Sequence, residues 1–166
     1  MYHQDDLFLE AVEEVLRREG GYVDDSLDKG GETKYGISKR SYPRLDIKNL
    51  TLEEAKKIYY RDYWVKNKCN VIFNYWLSSK LFDMSVNMGC KQAGIILQRS
   101  LRSVLGIKLS EDGIIGPQTL DAVRRGLPEQ VLVALRSEAA GYYRSIVASD
   151  KSQQRFLTGW LNRAYA

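Results

Sequence analysis

Two adjacent glycines, Gly20 and Gly21, separate a helix-forming segment from one that cannot continue it. Upstream, Leu7, Phe8, Ala11, Val12, Val15 and Leu16 recur at the spacing of one helical face, which predicts a helix ending at Glu19. The residues that follow are polar and glycine-rich, with too few apolar positions for a helix, so the chain must pass into a loop or hairpin. Glu19 then sits on the last helical turn. A carboxylate there faces the partial negative charge of the helix's terminal carbonyls, which favours its protonated form. The glycines beside it leave no side chains to crowd a long ligand.

A protonated carboxyl beside an open loop suits general acid catalysis, and glycoside hydrolysis pairs such an acid with a second carboxylate that activates water or attacks the sugar. The loop offers Asp24, Asp25, Asp28 and Glu32 for that role. Other chemistries are poorly supplied. His3 is the only histidine and lies close to the N-terminus, which leaves no Ser/His or Cys/His relay and no histidine-rich metal site. There is no phosphate-binding loop, dinucleotide fingerprint or paired CxxC motif. The sequence therefore predicts no metal and no cofactor. Cys69 and Cys90 are too few for a disulfide scaffold and are expected to be reduced thiols.

The stretch EGGYVDDSLDKGGETKYGIS resembles the N-terminal signature of glycoside hydrolase family 108, a group of bacterial and phage N-acetylmuramidases. Its spacing is also similar to that of phage-type lysozymes, where a glutamate ending the first helix is followed by an aspartate and a threonine in a glycine-rich turn. Glu19, Asp28 and Thr33 match those positions, with the interval from Asp28 to Thr33 one residue shorter than in the phage-type pattern. The resemblance implies cleavage of the β-1,4 bond between N-acetylmuramic acid and N-acetylglucosamine, with Glu19 as acid and Asp28 and Thr33 positioning or activating water. Tyr22 and Tyr35, in the same segment, are candidate sugar contacts. Further on, FDMSVNMG resembles a stretch lining the saccharide groove in this family. Its Asp83 and Asn87, four residues apart on one helical face, are either substrate-binding groups or a buried polar pair tying helices together. DGIIGPQTLDAV resembles a peptidoglycan-binding motif that often accompanies the family.

Charge divides the chain unevenly. Through Asp28 there are nine acidic residues against Arg17 and Arg18, whereas the remainder carries 23 basic and 12 acidic residues. A basic body concentrates an anionic polymer. Peptidoglycan with its anionic neighbours is the expected partner. Nucleic acid would be another, but no concentrated basic recognition helix is present, and none is expected to bind.

The rest of the sequence reads as helices. Thr51-Leu52-Glu53-Glu54 is a capping box opening a helix to about residue 63 or 64. Another is expected over 74–88, packing through Trp76, Leu77, Leu81, Phe82 and Met84, and further ones over 92–105, from Pro117 to before Gly126, over 128–148 and over 152–165. The expected fold is mainly α, a lysozyme-like helical bundle with a small glycine-rich loop or β-hairpin after the first helix. Its catalytic region would span 1–89, with a helical peptidoglycan-binding-like region, 90–166, packed against it as one compact monomeric unit.

No segment resembles a signal peptide or is long and apolar enough to span a bilayer, so no stable membrane insertion is expected. Synthesis is expected in the bacterial cytoplasm. Action on the wall would follow release through a holin pore, as in phage endolysins, or export by secretion machinery.

Overall fold

The computed structural model describes residues 4–24 and 31–166. It is mainly α, with a lysozyme-like arrangement of seven α-helices and one two-stranded antiparallel sheet among the described residues. The chain divides into two units, Met1–Lys66 and Asn67–Ala166.

In the first unit, α1 (Gln4–Glu19) buries Phe8, Ala11, Val12 and Val15, the stripe that its sequence periodicity predicts. Phe8 meets the edge of Tyr60 at 5.0 Å between ring centroids and Trp64 at 5.7 Å. Strands β1 (Thr33–Lys34) and β2 (Ile37–Ser38) pair Thr33 with Ser38 and Lys34 with Ile37. Helix α2 (Leu52–Tyr59) opens on the predicted capping box: Thr51 Oγ1 accepts from Glu54 N, and Glu54 Oε2 accepts from Thr51 N.

After Tyr59 the helix widens into a π-helical turn, Tyr60–Val65. Bonds running from i to i+5 bring residues five apart towards one face, and Tyr59 and Trp64, five apart, are both fully buried. An α-helix would turn one of them aside. The aromatic cluster Tyr59-Tyr60-Tyr63-Trp64 is thus accommodated by a local change of pitch, which sequence periodicity does not reveal.

In the second unit, a 3₁₀ turn (Cys69–Val71) leads to α3 (Tyr75–Met88), α4 (Cys90–Leu105), α5 (Pro117–Arg125), α6 (Pro128–Ser149), a 3₁₀ segment (Lys151–Phe156) and α7 (Leu157–Tyr165). Asn74 caps α3, its Oδ1 accepting from Leu77 N at 3.1 Å. Helix α6 packs on α3, α4 and α7, burying Val131, Leu135, Ala139, Ala140, Tyr143 and Val147. Side chains of that kind contribute about 1.5–3 kcal/mol each when large and fully buried. Trp160 of α7 stacks on Tyr143 at 5.3 Å.

Three details depart from the sequence reading. Trp76, expected in the packing of α3, is 65 % exposed. The inward face of that helix's first turns is set by Leu77 and Leu81, and the residue before Leu77 lies about 100° round the axis. The helix expected over 92–105 begins at Cys90. The segment expected as one helix over 152–165 breaks into the 3₁₀ segment and α7, leaving Phe156 42 % exposed. Cys69, buried, and Cys90, half-buried, are both free thiols.

The loop between α4 and α5 is fastened by ion pairs. Glu111 accepts from Arg99 Nε at 3.0 Å and Nη2 at 2.9 Å and pairs with Arg102 through its other oxygen. The Arg99 hydrogen bonds, with those of Arg102 and the charge of both, hold the Glu111 carboxyl below the usual carboxylate range. A depressed folded value means that the contribution to stability is present above the unfolded value and vanishes as pH falls through the folded one. Glu111→Gln is therefore expected to melt below wild type at pH 7, with the gap closing as pH drops below about 4. Melting curves across that range check it; a gap independent of pH would assign Glu111 a packing role only.

Candidate active site

Glu19 is the last residue of α1, and Gly20, at φ 73°, ends the helix there. The chain then runs to Val23, which forms an antiparallel bridge with Thr33: each backbone N–H donates to the other's carbonyl at 2.8 Å. Thr33 is thus flanked by Val23 on one side and Ser38 on the other. Its hydroxyl donates to Gly31 O at 3.1 Å. The threonine is fixed by backbone pairing on both sides and not by burial.

The hairpin turns on two residues, Tyr35 at φ 51° and Gly36 at φ 77°. Two left-handed residues in succession are what a type I′ turn requires, and its twist matches that of the strands. At Tyr35 the conformation costs a non-glycine residue energy, and such strain persists only where the surroundings impose it. Here Tyr59 imposes it from α2. Its buried hydroxyl donates to Tyr35 O at 2.7 Å. The Lys34 ammonium lies 5.5 Å from the centre of the Tyr35 ring.

Gly36 touches the candidate acid itself. A Cβ at this position would stand 2.4 Å from Tyr59 Oη and 2.9 Å from both Cβ and Cγ of Glu19. The hairpin turn therefore packs directly on the Glu19 stem, with the Tyr59 hydroxyl beside it. The end of α1, the turn of the hairpin and the end of α2 meet at one point, and that point is the half-buried Glu19. Sequence reasoning missed the parts played by Gly36 and Tyr59. Gly36 stands within the quoted signature; Tyr59 is one of a run of aromatics, and nothing in that run distinguishes a ring that packs from one whose hydroxyl reaches the turn.

The other predicted residues are placed as follows. Tyr22, 42 % exposed, donates to Glu32 Oε1 at 3.0 Å, and desolvation, then the Glu32 hydrogen bond and charge, raise its phenol above the usual range. Glu32 of the candidate carboxylates is thereby engaged with Tyr22. Asp28, with Asp25, lies outside the described residues. Glu19, Tyr22, Thr33 and Tyr35 all belong to the first unit, whereas Asp83 and Asn87 belong to the second.

There, Asp83 is 7 % exposed and both its oxygens accept from Arg163 Nε at 3.2 Å, with Arg163 Nη2 at 3.1 Å from Oδ1. Asn87 Oδ1 accepts from the Tyr143 hydroxyl, and burial pushes that phenol up to about 12, so it stays a donor. These bonds are those of a polar tie joining α3 to α6 and α7. Among the described residues, no group of three or more His, Cys, Asp or Glu side chains could hold a metal ion. No helix there is long and apolar enough to cross a membrane.

A glutamate closing a first helix, a small hairpin packed on its stem and a mainly helical body define a lysozyme-like glycosidase. Residues 12–89 match the family described as glycosyl hydrolase 108, and residues 92–165 match a predicted peptidoglycan domain. Residues 12–89 are thus a glycoside hydrolase family 108 region, followed by a peptidoglycan-binding region over 92–165. It is similar to the solved structure of SagA from Brucella abortus, at 26 % identity and a TM-score of 0.72, over 96 % of this chain and 94 % of that one. No curated protein matches it. The two regions together make the chain a glycoside hydrolase acting on peptidoglycan.

Gly36→Ala tests the convergence on Glu19. It combines a left-handed alanine, which costs about 1–2 kcal/mol, with overlap against Tyr59 and Glu19. The expected outcome is a lower melting temperature together with a loss of peptidoglycan hydrolysis greater than that of Tyr59→Phe, which removes one hydrogen bond but no space. Turbidity clearing and melting of both variants measure it; an alanine variant as active as wild type would show that the turn does not position Glu19.

Proposed function

We propose that the chain is an N-acetylmuramidase that cleaves the β-1,4 bond between N-acetylmuramic acid and N-acetylglucosamine, with Glu19 as general acid. The contact of Gly36 with the Glu19 stem carries this reading: a catalytic acid must be aimed, and this carboxylate has its stem held against a strained turn. In the proposed reaction Glu19 protonates the glycosidic oxygen as the bond to the muramic acid carbon breaks. Asp28 activates or positions the attacking water, assisted by the Thr33 hydroxyl, whose oxygen retains acceptor capacity beyond the proton it donates to Gly31. Tyr22 and Tyr35, in the same segment, supply aromatic surface for the sugars. Asp83 and Asn87 remain candidate substrate-binding groups beside their bonds to Arg163 and Tyr143. The basic body favours an endolysin role, since it would retain the enzyme on an anionic wall.

Glu19→Gln is nearly isosteric and cannot deliver a proton. Clearing of outer-membrane-permeabilised Gram-negative cells, with release of new reducing ends, is expected to fall by at least about a hundredfold while the melting temperature holds. A variant retaining more than about a tenth of the activity would remove Glu19 from the acid role. Asp28→Asn is expected to be far more damaging than Asp24→Asn or Asp25→Asn; the reverse ranking would reassign the second carboxylate.

A further inference from the structure

The loop between α4 and α5, with α5 itself, contains features that glycan cleavage does not use. Two cavities of about 340 and 510 Å³ adjoin along it, sharing Leu109, Pro117 and Gln118 in their walls. The first is further lined by Asp112 and Ile114, the second by Lys108, Asp121 and Arg125.

The loop is held rigidly before any ligand arrives. Gln98 of α4, 1 % exposed, donates through Nε2 to Asp112 Oδ1 at 2.8 Å and to Ile114 O at 3.1 Å, and its Oε1 accepts from Gly113 N at 2.8 Å. Helix and loop lie in backbone contact: a Cβ at Gly94 would stand 2.5 Å from Gly113 O. On this pinned loop the side chain of Ile114 is held outward, 70 % exposed. An apolar residue presented by a rigid loop at the mouth of a cavity is a feature of binding surfaces.

Charge is separated along the groove. Asp112 stands in one cavity, its carboxyl held below the usual range by Gln98 and by the Ile114 N–H, so it is ionised. Lys108 and Arg125 stand in the other against one carboxylate, Asp121, whose distance to Arg125 is 3.8 Å. That separation is at the edge of ion pairing and leaves guanidinium donors for a ligand. Between the charged ends the wall is aliphatic, formed by Leu109 and Pro117. No aromatic ring is among the described residues lining either cavity, so the usual stacking surface for a sugar is missing here.

We infer that this groove binds the peptide stem of peptidoglycan and not its glycan strand. The stem is a short peptide of small apolar side chains that carries both an amine and free carboxylates. The amine fits the Asp112 end, the carboxylates fit the Lys108 and Arg125 end, and the alanine methyls fit the aliphatic wall and Ile114. This assignment rests on peptidoglycan as the substrate and adds which part of it the second unit holds.

The test uses the full wild-type chain, ¹⁵N-labelled, titrated with a synthetic stem tetrapeptide containing a diamino acid and, separately, with a peptide-free N-acetylglucosamine tetramer. The peptide is expected to shift backbone resonances within residues 107–125, and the tetramer to leave them in place. Lys108→Glu combined with Arg125→Glu, both exposed positions, is expected to weaken peptide binding at least tenfold without lowering the melting temperature; Ile114→Ser, also exposed, checks the apolar contact independently. Unmoved resonances at several millimolar peptide, unchanged affinity in these variants, or a larger response to the tetramer would overturn the inference. Hydrolysis of peptide-free glycan, measured alongside, separates the two readings. Cleavage without peptide binding leaves the muramidase standing and removes the groove; peptide binding without cleavage does the opposite.

Discussion

The first unit is organised around a contact that only glycine allows. At Gly36 the hairpin turn comes so close to α1 that no side chain fits between it, the Glu19 stem and the Tyr59 hydroxyl. Three elements that are remote in sequence are thereby held to one another at Glu19, the candidate acid. The contact also accounts for the rest of the local architecture. The turn must be type I′ to bring a residue with no side chain to that point, and the second left-handed residue it demands falls on Tyr35. The Tyr59 hydrogen bond to the Tyr35 carbonyl offsets that strain. The π-helical turn that follows Tyr59 lets the same aromatic run deliver Trp64 to the core as well.

Polar ties perform the corresponding task in the second unit. Asp83 with Arg163 and Asn87 with Tyr143 bind α3 to helices far along the chain, and Gln98 binds α4 to the loop that precedes α5. Buried groups of this kind are costly unless fully satisfied, which makes them poor sources of net stability. They discriminate instead among packings: a helix shifted by one residue would leave a charge or an amide buried without a partner. Lys80, whose ammonium donates to Arg163 O at 2.7 Å, adds to the same junction.

The sequence was most legible where local chemistry decides structure. The stop after Glu19, the capping box at Thr51 and the proline starts of α5 and α6 all follow from rules acting within a single turn of chain. The type of the hairpin turn could not be read so directly, because it places a tyrosine where the rules favour asparagine or glycine, and the penalty is met by a hydroxyl from another helix. Trp76 shows the converse failure. A large apolar residue reads as core because burial is the commoner outcome, but its angular position one residue before Leu77 puts it outside. The candidate site was legible as a list of residues and not as an arrangement. Glu19, Tyr22, Thr33 and Tyr35 belong to the unit that holds the hairpin, whereas Asp83 and Asn87, which share the family resemblance, lie in the second unit and bond to Arg163 and Tyr143.

The two chemistries assigned to this chain make opposite demands on their surroundings, and the sequence composition of each segment follows from that. The proposed acid must be reached by a long polymer, and the residues of its segment include glycines, the Thr33 hydroxyl, exposed Tyr22 and half-buried Tyr35, with the Glu19 stem held by backbone contact beneath it. A peptide groove requires fixed charges at a set spacing, so the loop before α5 is pinned by a buried amide and by ion pairs to Glu111 at its edge. Binding the peptide while cutting the glycan uses covalently joined but chemically distinct parts of one substrate. Where one substrate molecule engages both, binding of its peptide raises the effective concentration of the linked glycan, and the two parts do not compete for the same groups. In the proposed reaction, modest affinity for the sugars themselves would then suffice, leaving the interactions of Glu19 to be made in the transition state, where they accelerate the reaction.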